Sequence, residues 1–134
     1  MGTPLIRILT ADDHDVVRRG VRSILLSRPD IEVSGEAADG CQAVTQALQL
    51  KPDLIILDLT MPVMGGIAAA AELHKLLPDT PVLFYSMHEG DYLISEAKRL
   101  GVRGLVSKGR ITETLLAAVD AIVLRNGTFF PSAS

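Results

Sequence analysis

Two apolar runs in this chain lead straight into acidic residues. Leu5 to Leu9 delivers Asp12-Asp13, and Leu54-Ile55-Ile56-Leu57 delivers Asp58. The second run and Val82-Leu83-Phe84-Tyr85 are apolar at every position, without polar alternation. That marks strands covered on both faces, as in a parallel sheet. Strands are predicted at 5–9, 31–37, 53–57, 81–85 and 103–106. Between them, apolar positions recur at helical spacing: Val17, Val21, Ile24 and Leu25, then Val44, Ala47 and Leu48. Three further stripes follow: Ile67, Ala70, Leu73 and Leu77; Leu93, Ala97 and Leu100; and Leu115, Ala118, Val119 and Ile122. Gly101 reads as a helix C-cap, Thr112 as the N-cap of the last helix and Asn126-Gly127 as its stop.

Five strand–helix units predict an open, doubly wound α/β sheet with right-handed crossovers. The flavodoxin-like strand order 2-1-3-4-5, with five helices, suits this length. Its switch point lies between strands 1 and 3, where ligands bind in such sheets. Those are the strands that end in Asp12-Asp13 and Asp58. Strand 4 ends at Ser86, and strand 5 ends at Lys108 after Leu105-Val106-Ser107. No repeat, low-complexity segment or linker interrupts the pattern.

Carboxylates that converge at buried strand ends need a cation. Magnesium takes oxygen ligands and keeps some waters. Asp12 or Asp13, Asp58 and one backbone carbonyl are candidate ligands. Lys108 and the metal would offset the oxygens of an incoming phosphoryl group. Ser86 would donate to another oxygen. Asp58 would be the nucleophile, giving an acyl phosphate.

Composition narrows the alternatives. The chain has 134 residues, 48% hydrophobic, with no Trp and a net charge of −3. That is one domain with an aliphatic core and no electrostatic grip on nucleic acid. Cys41 is the only cysteine, which excludes a disulfide within the chain and fits a reducing cytoplasm. It reads as a small apolar residue at the start of helix 2. No signal peptide or membrane-length apolar run is present. His14, His74 and His88 show no ligand spacing. His14 reads as exposed, His74 as a helix-surface or boundary residue and His88 as a rim residue. Arg18, Arg19 and Arg22 read as a solvated helix face.

Together these residues resemble the receiver domain of a two-component response regulator. The matching pieces are Ala11-Asp12-Asp13-His14, Leu57-Asp58-Leu59-Thr60-Met61-Pro62 with Gly65-Gly66, Tyr85-Ser86, and Leu105-Val106-Ser107-Lys108. The run from Asp12 through Arg22, with Gly35-Glu36-Ala37 and Asp39-Gly40, is similar to the NarL/FixJ-like (LuxR-type) subfamily. The resemblance implies a CheY-like fold and a phosphorylation-dependent switch in which Asp58 is charged by a histidine kinase. Asp12 and Asp13 would hold Mg²⁺ (or Mn²⁺), one of them through water, with the Thr60 backbone carbonyl as a further ligand. Lys108 would contact the phosphoryl group and Ser86 would be the switch hydroxyl. Thr60 and His88 would tune hydrolysis. Such a protein catalyses only its own phosphorylation and dephosphorylation. Two positions depart from the family: Leu105 replaces a common aromatic, and Gly109 replaces the proline that often follows the lysine. The latter suggests a more mobile loop at 108–110.

The expected organisation is a receiver domain over 1–128 and the start of a linker over 129–134. No DNA-binding domain lies within these residues. DNA would be reached only through a C-terminal helix-turn-helix domain. A homodimer through helices 1 and 5, or through the helix 4–strand 5–helix 5 face, is compatible with the pattern.

Other functions fit less well. Bound flavin would place its phosphate against two carboxylates. An Asp-nucleophile phosphatase needs a second Asp where Thr60 stands. A phosphorylation-independent interaction module would have no use for the intact five-residue site.

Overall fold

The structure is a computed structural model that describes residues 5–87 and 90–131. Five parallel strands form one sheet: β1 (Ile6–Ala11), β2 (Ile31–Ala37), β3 (Leu54–Asp58), β4 (Val82–Ser86) and β5 (Gly104–Ser107). Their order is β2-β1-β3-β4-β5, as the pattern predicts. The helices are α1 (Asp15–Leu26), α2 (Gly40–Leu50), α3 (Gly66–Leu76), α4 (Asp91–Arg99) and α5 (Ile111–Val119). A wider π-type turn over Asp120–Leu124 extends α5. No helix among the described residues is long and apolar enough to cross a membrane.

Strand geometry divides the apolar runs between two cores. Successive side chains on a strand point to opposite faces. Thus Leu54 and Ile56 join Ile8, Leu83, Val106, Val21, Leu25 and Leu115 on the α1/α5 side. Ile55 and Leu57 join Leu9, Phe84, Leu105, Ala43, Ala69 and Ala97 on the α2/α3/α4 side. All five residues of β3 are buried, which is why its sequence shows no alternation. Small residues (Ala43, Ala47, Ala69, Ala70) let α2 and α3 lie close to the sheet and to each other.

The strands run further toward the C-terminal edge than predicted. β3, β4 and β5 include Asp58, Ser86 and Ser107, because Asp58 pairs with Tyr85 and Ser86 with Ser107 in the ladder. These polar residues lie one position beyond the predicted strand ranges, yet their backbones are still satisfied by a neighbouring strand. At the other edge, Ser34 is an extra residue where the β1/β2 register shifts, and its hydroxyl donates to the Ile8 carbonyl at 3.2 Å.

Several expectations change. The last helix begins at Ile111, not after an N-cap at Thr112. A 3₁₀ turn over Lys108–Arg110 precedes it and is capped by Ser107 Oγ, which accepts from the Gly109 amide at 3.2 Å. Cys41 is exposed on α2 instead of packed. Gly101 does follow α4, in the left-handed region at φ 78°, with its amide on the Lys98 carbonyl.

Phe129 and Phe130, within the stretch 129–134 expected to start a linker, lie along the sheet edge. The Phe129 amide donates to the Arg103 carbonyl and its carbonyl accepts from Leu105, both at 2.9 Å. Phe130 packs against the α2/α3/α4 core, with the Lys98 ammonium 5.1 Å from its ring centre. Gly104 makes the approach feasible, since a Cβ there would stand 2.6 Å from the Phe129 carbonyl oxygen. Gly104→Ala should therefore destabilise the domain by about 1–3 kcal/mol. Urea denaturation would show a lower midpoint with an unchanged slope; an unshifted midpoint would mean that this contact is dispensable.

Candidate functional site

The C-terminal edge of the sheet brings Asp12, Asp58, Ser86 and Lys108 to one place. Asp12 follows β1 and is fully buried. Its Oδ1 accepts from the His14 amide at 2.8 Å, and its Oδ2 accepts from the Tyr85 hydroxyl at 2.6 Å. Asp58 closes β3 and is 3% exposed. Lys108 opens the 3₁₀ turn after β5, and its Nζ lies 3.3 Å from Asp12 Oδ2 and 3.1 Å from Asp58 Oδ1. One ammonium thus spans two buried carboxylates.

The two acids respond oppositely. Burial pushes the Asp12 carboxyl up, but the Tyr85 hydroxyl, the His14 amide and the Lys108 charge outweigh it and hold Asp12 below the usual range. Burial also pushes Asp58 up. Lys108 draws it down, but with the Asp12 charge opposing, Asp58 remains raised. Asp58 Oδ2 is buried and accepts no hydrogen bond from the described residues. Burial and the Asp12 charge also push the Tyr85 phenol far up, so it stays a donor.

The loop after β3 is built around Asp58. The Thr60 amide approaches Asp58 Oδ1 at 3.4 Å. Met64 donates to the Pro62 carbonyl at 2.7 Å, closing a tight turn on Val63, which takes a positive φ of 67°. That conformation is strained for a β-branched residue. The turn then returns onto the strand end: a Cβ on Gly66 would lie 2.3 Å from the Asp58 carbonyl oxygen. Glycine permits that closeness. Thr60, Ile67, Ser86 and Tyr92 help to line a cleft of about 450 Å³ beside this loop.

The other predicted residues fall as follows. Ser86 is buried at the end of β4. Asp13 lies at the rim, its side chain 31% exposed, with Oδ1 at 3.2 Å from His14 Nδ1. Thr60 is exposed at the mouth of the site. His88 lies outside the described residues. His14 is exposed, as expected, yet it belongs to the acidic group. Asp12, Asp13, His14 and Asp58 each offer a ligand atom, all within 4.8 Å of one another.

Two contributors escaped the sequence reading. Tyr85 looked like one more apolar strand residue; a buried tyrosine's need for a hydrogen-bond partner was the available signal. Its ring also lies 5.0 Å below the Lys108 ammonium, steadying it. Arg18 is not part of a solvated face. Its guanidinium donates to the Asp12 carbonyl at 2.6 Å, pairs with Asp15 at 2.5 Å and reaches Glu36 at 3.3 Å. Arg22 also pairs with Glu36. Only the Asp15–Arg18 spacing was readable locally.

Residues 8–120 match the response regulator receiver domain family. This chain belongs to that family. Among its relatives is the Response regulator protein VraR of Staphylococcus epidermidis, 40% identical over 126 residues, 94% of this chain and 60% of the relative. The transcriptional regulatory protein YxjL of Bacillus subtilis is 36% identical over 121 residues, 90% of this chain and 56% of the relative. This receiver chain thus spans between 56% and 60% of the length of these two relatives. The crystal structure of a LuxR-family two-component response regulator from an Aurantimonas species is 33% identical, with a TM-score of 0.88. The match covers 93% of this chain and 89% of that one. The chain is therefore a signalling domain of the NarL/LuxR kind, related to transcriptional regulators.

Opposite pKa directions give opposite predictions. Asp12, held low, stabilises the fold above its unfolded pKa, and that stability is lost as pH falls through its folded value. Tyr85→Phe should therefore cost about 1.5–3 kcal/mol at neutral pH and less near pH 3. Asp58, held high, opposes folding at neutral pH, and this penalty fades as pH falls through its raised value toward the unfolded one. Asp58→Asn in chelator should gain about 1–2 kcal/mol at neutral pH and little near pH 3. Urea denaturation at both pH values tests the pair; equal effects at both would contradict the electrostatic assignment.

Proposed function

We propose that Asp58 accepts a phosphoryl group from a histidine kinase and that the domain is a switch thrown by this charge. The observation that carries the reading is Asp58 Oδ2: a buried carboxylate oxygen without a hydrogen bond, beside a second carboxylate and a lysine. Its raised pKa reflects a charge short of compensation, which is the demand a cation meets.

The donor set suits magnesium. Asp12, Asp13 and Asp58 supply carboxylate oxygens, and the Thr60 backbone carbonyl stands two residues from Asp58. Manganese takes the same ligands. When bound, the ion would supply positive charge to offset both the carboxylates and the phosphoryl oxygens.

This chain's own residues account for the rest. An Asp58 oxygen attacks phosphorus as the bond to the donor imidazole nitrogen breaks; the nitrogen keeps the electron pair and is protonated. Lys108 shifts its pairing from Asp58 toward the phosphoryl oxygens. Tyr85, the His14 amide and Arg18 keep Asp12 and its backbone fixed while this happens. The Ser86 hydroxyl donates to a phosphoryl oxygen and moves with the segment that follows it. Hydrolysis then returns the carboxylate, with Thr60 and His88 setting the approach of water. Catalysis thus extends only to the domain's own phosphorylation and dephosphorylation.

The switch biases an equilibrium between two forms through contacts made only to the phosphoryl group. We assign residues 1–128 to the switch and place the output beyond it, in a C-terminal DNA-binding domain of a cytoplasmic transcription regulator. The relatives' descriptions and lengths support this reading. Homodimerisation is a further expected output.

Intact mass after incubation with acetyl phosphate and magnesium tests the assignment. One phosphoryl adduct is expected in wild type, none with chelator and none in Asp58→Asn. Lys108→Ala should slow its formation by about a hundredfold. An adduct in Asp58→Asn would identify another nucleophile.

A further inference from the structure

We infer that the acidic site is a mixed nitrogen–oxygen metal site, in which His14 is a ligand for borderline transition ions such as Co²⁺, Ni²⁺ and Zn²⁺. This rests on the reading of the pocket as a cation site and adds a selectivity to it.

His14 Nδ1 lies 3.2 Å from Asp13 Oδ1 and 3.4 Å from Asp12 Oδ1. With Asp58, these residues hold four ligand atoms within 4.8 Å of one another. Tetrahedral ligands at about 2.1 Å from a shared ion stand about 3.4 Å apart, so the group must draw in by at most about 1.4 Å. The independent sign of a missing ligand is Asp58 Oδ2, buried and unpartnered on the residue that closes the group. Asp58 Oδ1 is already taken by Lys108.

The imidazole is also free to move. His14 is the N-cap residue of α1, but its side chain makes no capping hydrogen bond; its backbone amide donates to Asp12 and its carbonyl accepts from the Arg18 amide. Its side chain is 68% exposed. A small rotation meets an ion without breaking a structural contact.

The chemistry decides which ions gain. Three carboxylates and one ammonium leave two negative charges, matched by one divalent ion. Magnesium is hard, prefers oxygen and retains water, so an imidazole offers it little. Cobalt, nickel and zinc bind imidazole well. His14 should therefore separate the two classes: transition ions use it, and magnesium does not. Such an ion would compete for the pocket that phosphorylation needs.

Calorimetric titration of the chain with Mg²⁺ and with Co²⁺ tests this, using wild type, His14→Ala and Asp58→Asn. His14→Ala should weaken Co²⁺ by at least about tenfold and change Mg²⁺ by less than about twofold. Asp58→Asn should weaken both. Paramagnetically shifted His14 ring resonances in the wild-type Co²⁺ complex give a second readout. If His14→Ala weakens both ions equally, or neither, the mixed site is wrong while the magnesium pocket stands. If wild type binds neither ion, both readings fall.

Discussion

Two carboxylates and one ammonium buried within about a hydrogen bond of each other set the terms for the C-terminal edge of this sheet. Neither Asp12 nor Asp58 can ionise there without a counter-charge. Lys108 supplies one, and much nearby architecture holds it in reach. β5 ends one residue before it, the 3₁₀ turn aims it inward, and the Tyr85 ring lies beneath its ammonium. One ammonium cannot balance two carboxylates, and the imbalance falls on Asp58.

The imbalance also explains a division of labour. Asp12 is held by a phenol, an amide and a lysine, and its backbone by a guanidinium. Asp58 has the lysine and one long contact from Thr60. The heavily bonded acid is held in place, and the sparsely bonded one keeps an oxygen without a hydrogen bond among the described residues. A strained turn at Val63 and the close seat of Gly66 confine the loop that follows it without spending further hydrogen bonds on its carboxylate.

The strand order and the four strand-end residues Asp12, Asp58, Ser86 and Lys108 were readable because burial on both faces writes continuous apolar runs, and the breaks in those runs mark the site. The breaks misled by one residue. Asp58, Ser86 and Ser107 look like turn residues by side chain, yet ladder pairing depends on backbone alone. Tyr85 was hidden for the converse reason. Its ring satisfies the apolar pattern, and its hydroxyl partner is 73 positions away in sequence. Arg18 was legible as a helix-face residue and His14 as an exposed one, but neither as a member of the site, since their partners Glu36 and Asp58 are brought close only by the folded sheet.

The two outer strands of the sheet are treated differently. β2 carries Glu32, Ser34 and Glu36 along its length, so an approaching strand meets charge and a register break. β5 is short and nearly all apolar: Gly104, Leu105 and Val106 are buried. Left bare, such a margin is a template on which another chain can add itself and begin an aggregate. Phe129 occupies that margin by bonding to Arg103 and Leu105. Phe129 thus acts as the domain's safeguard against edge-to-edge pairing with copies of itself.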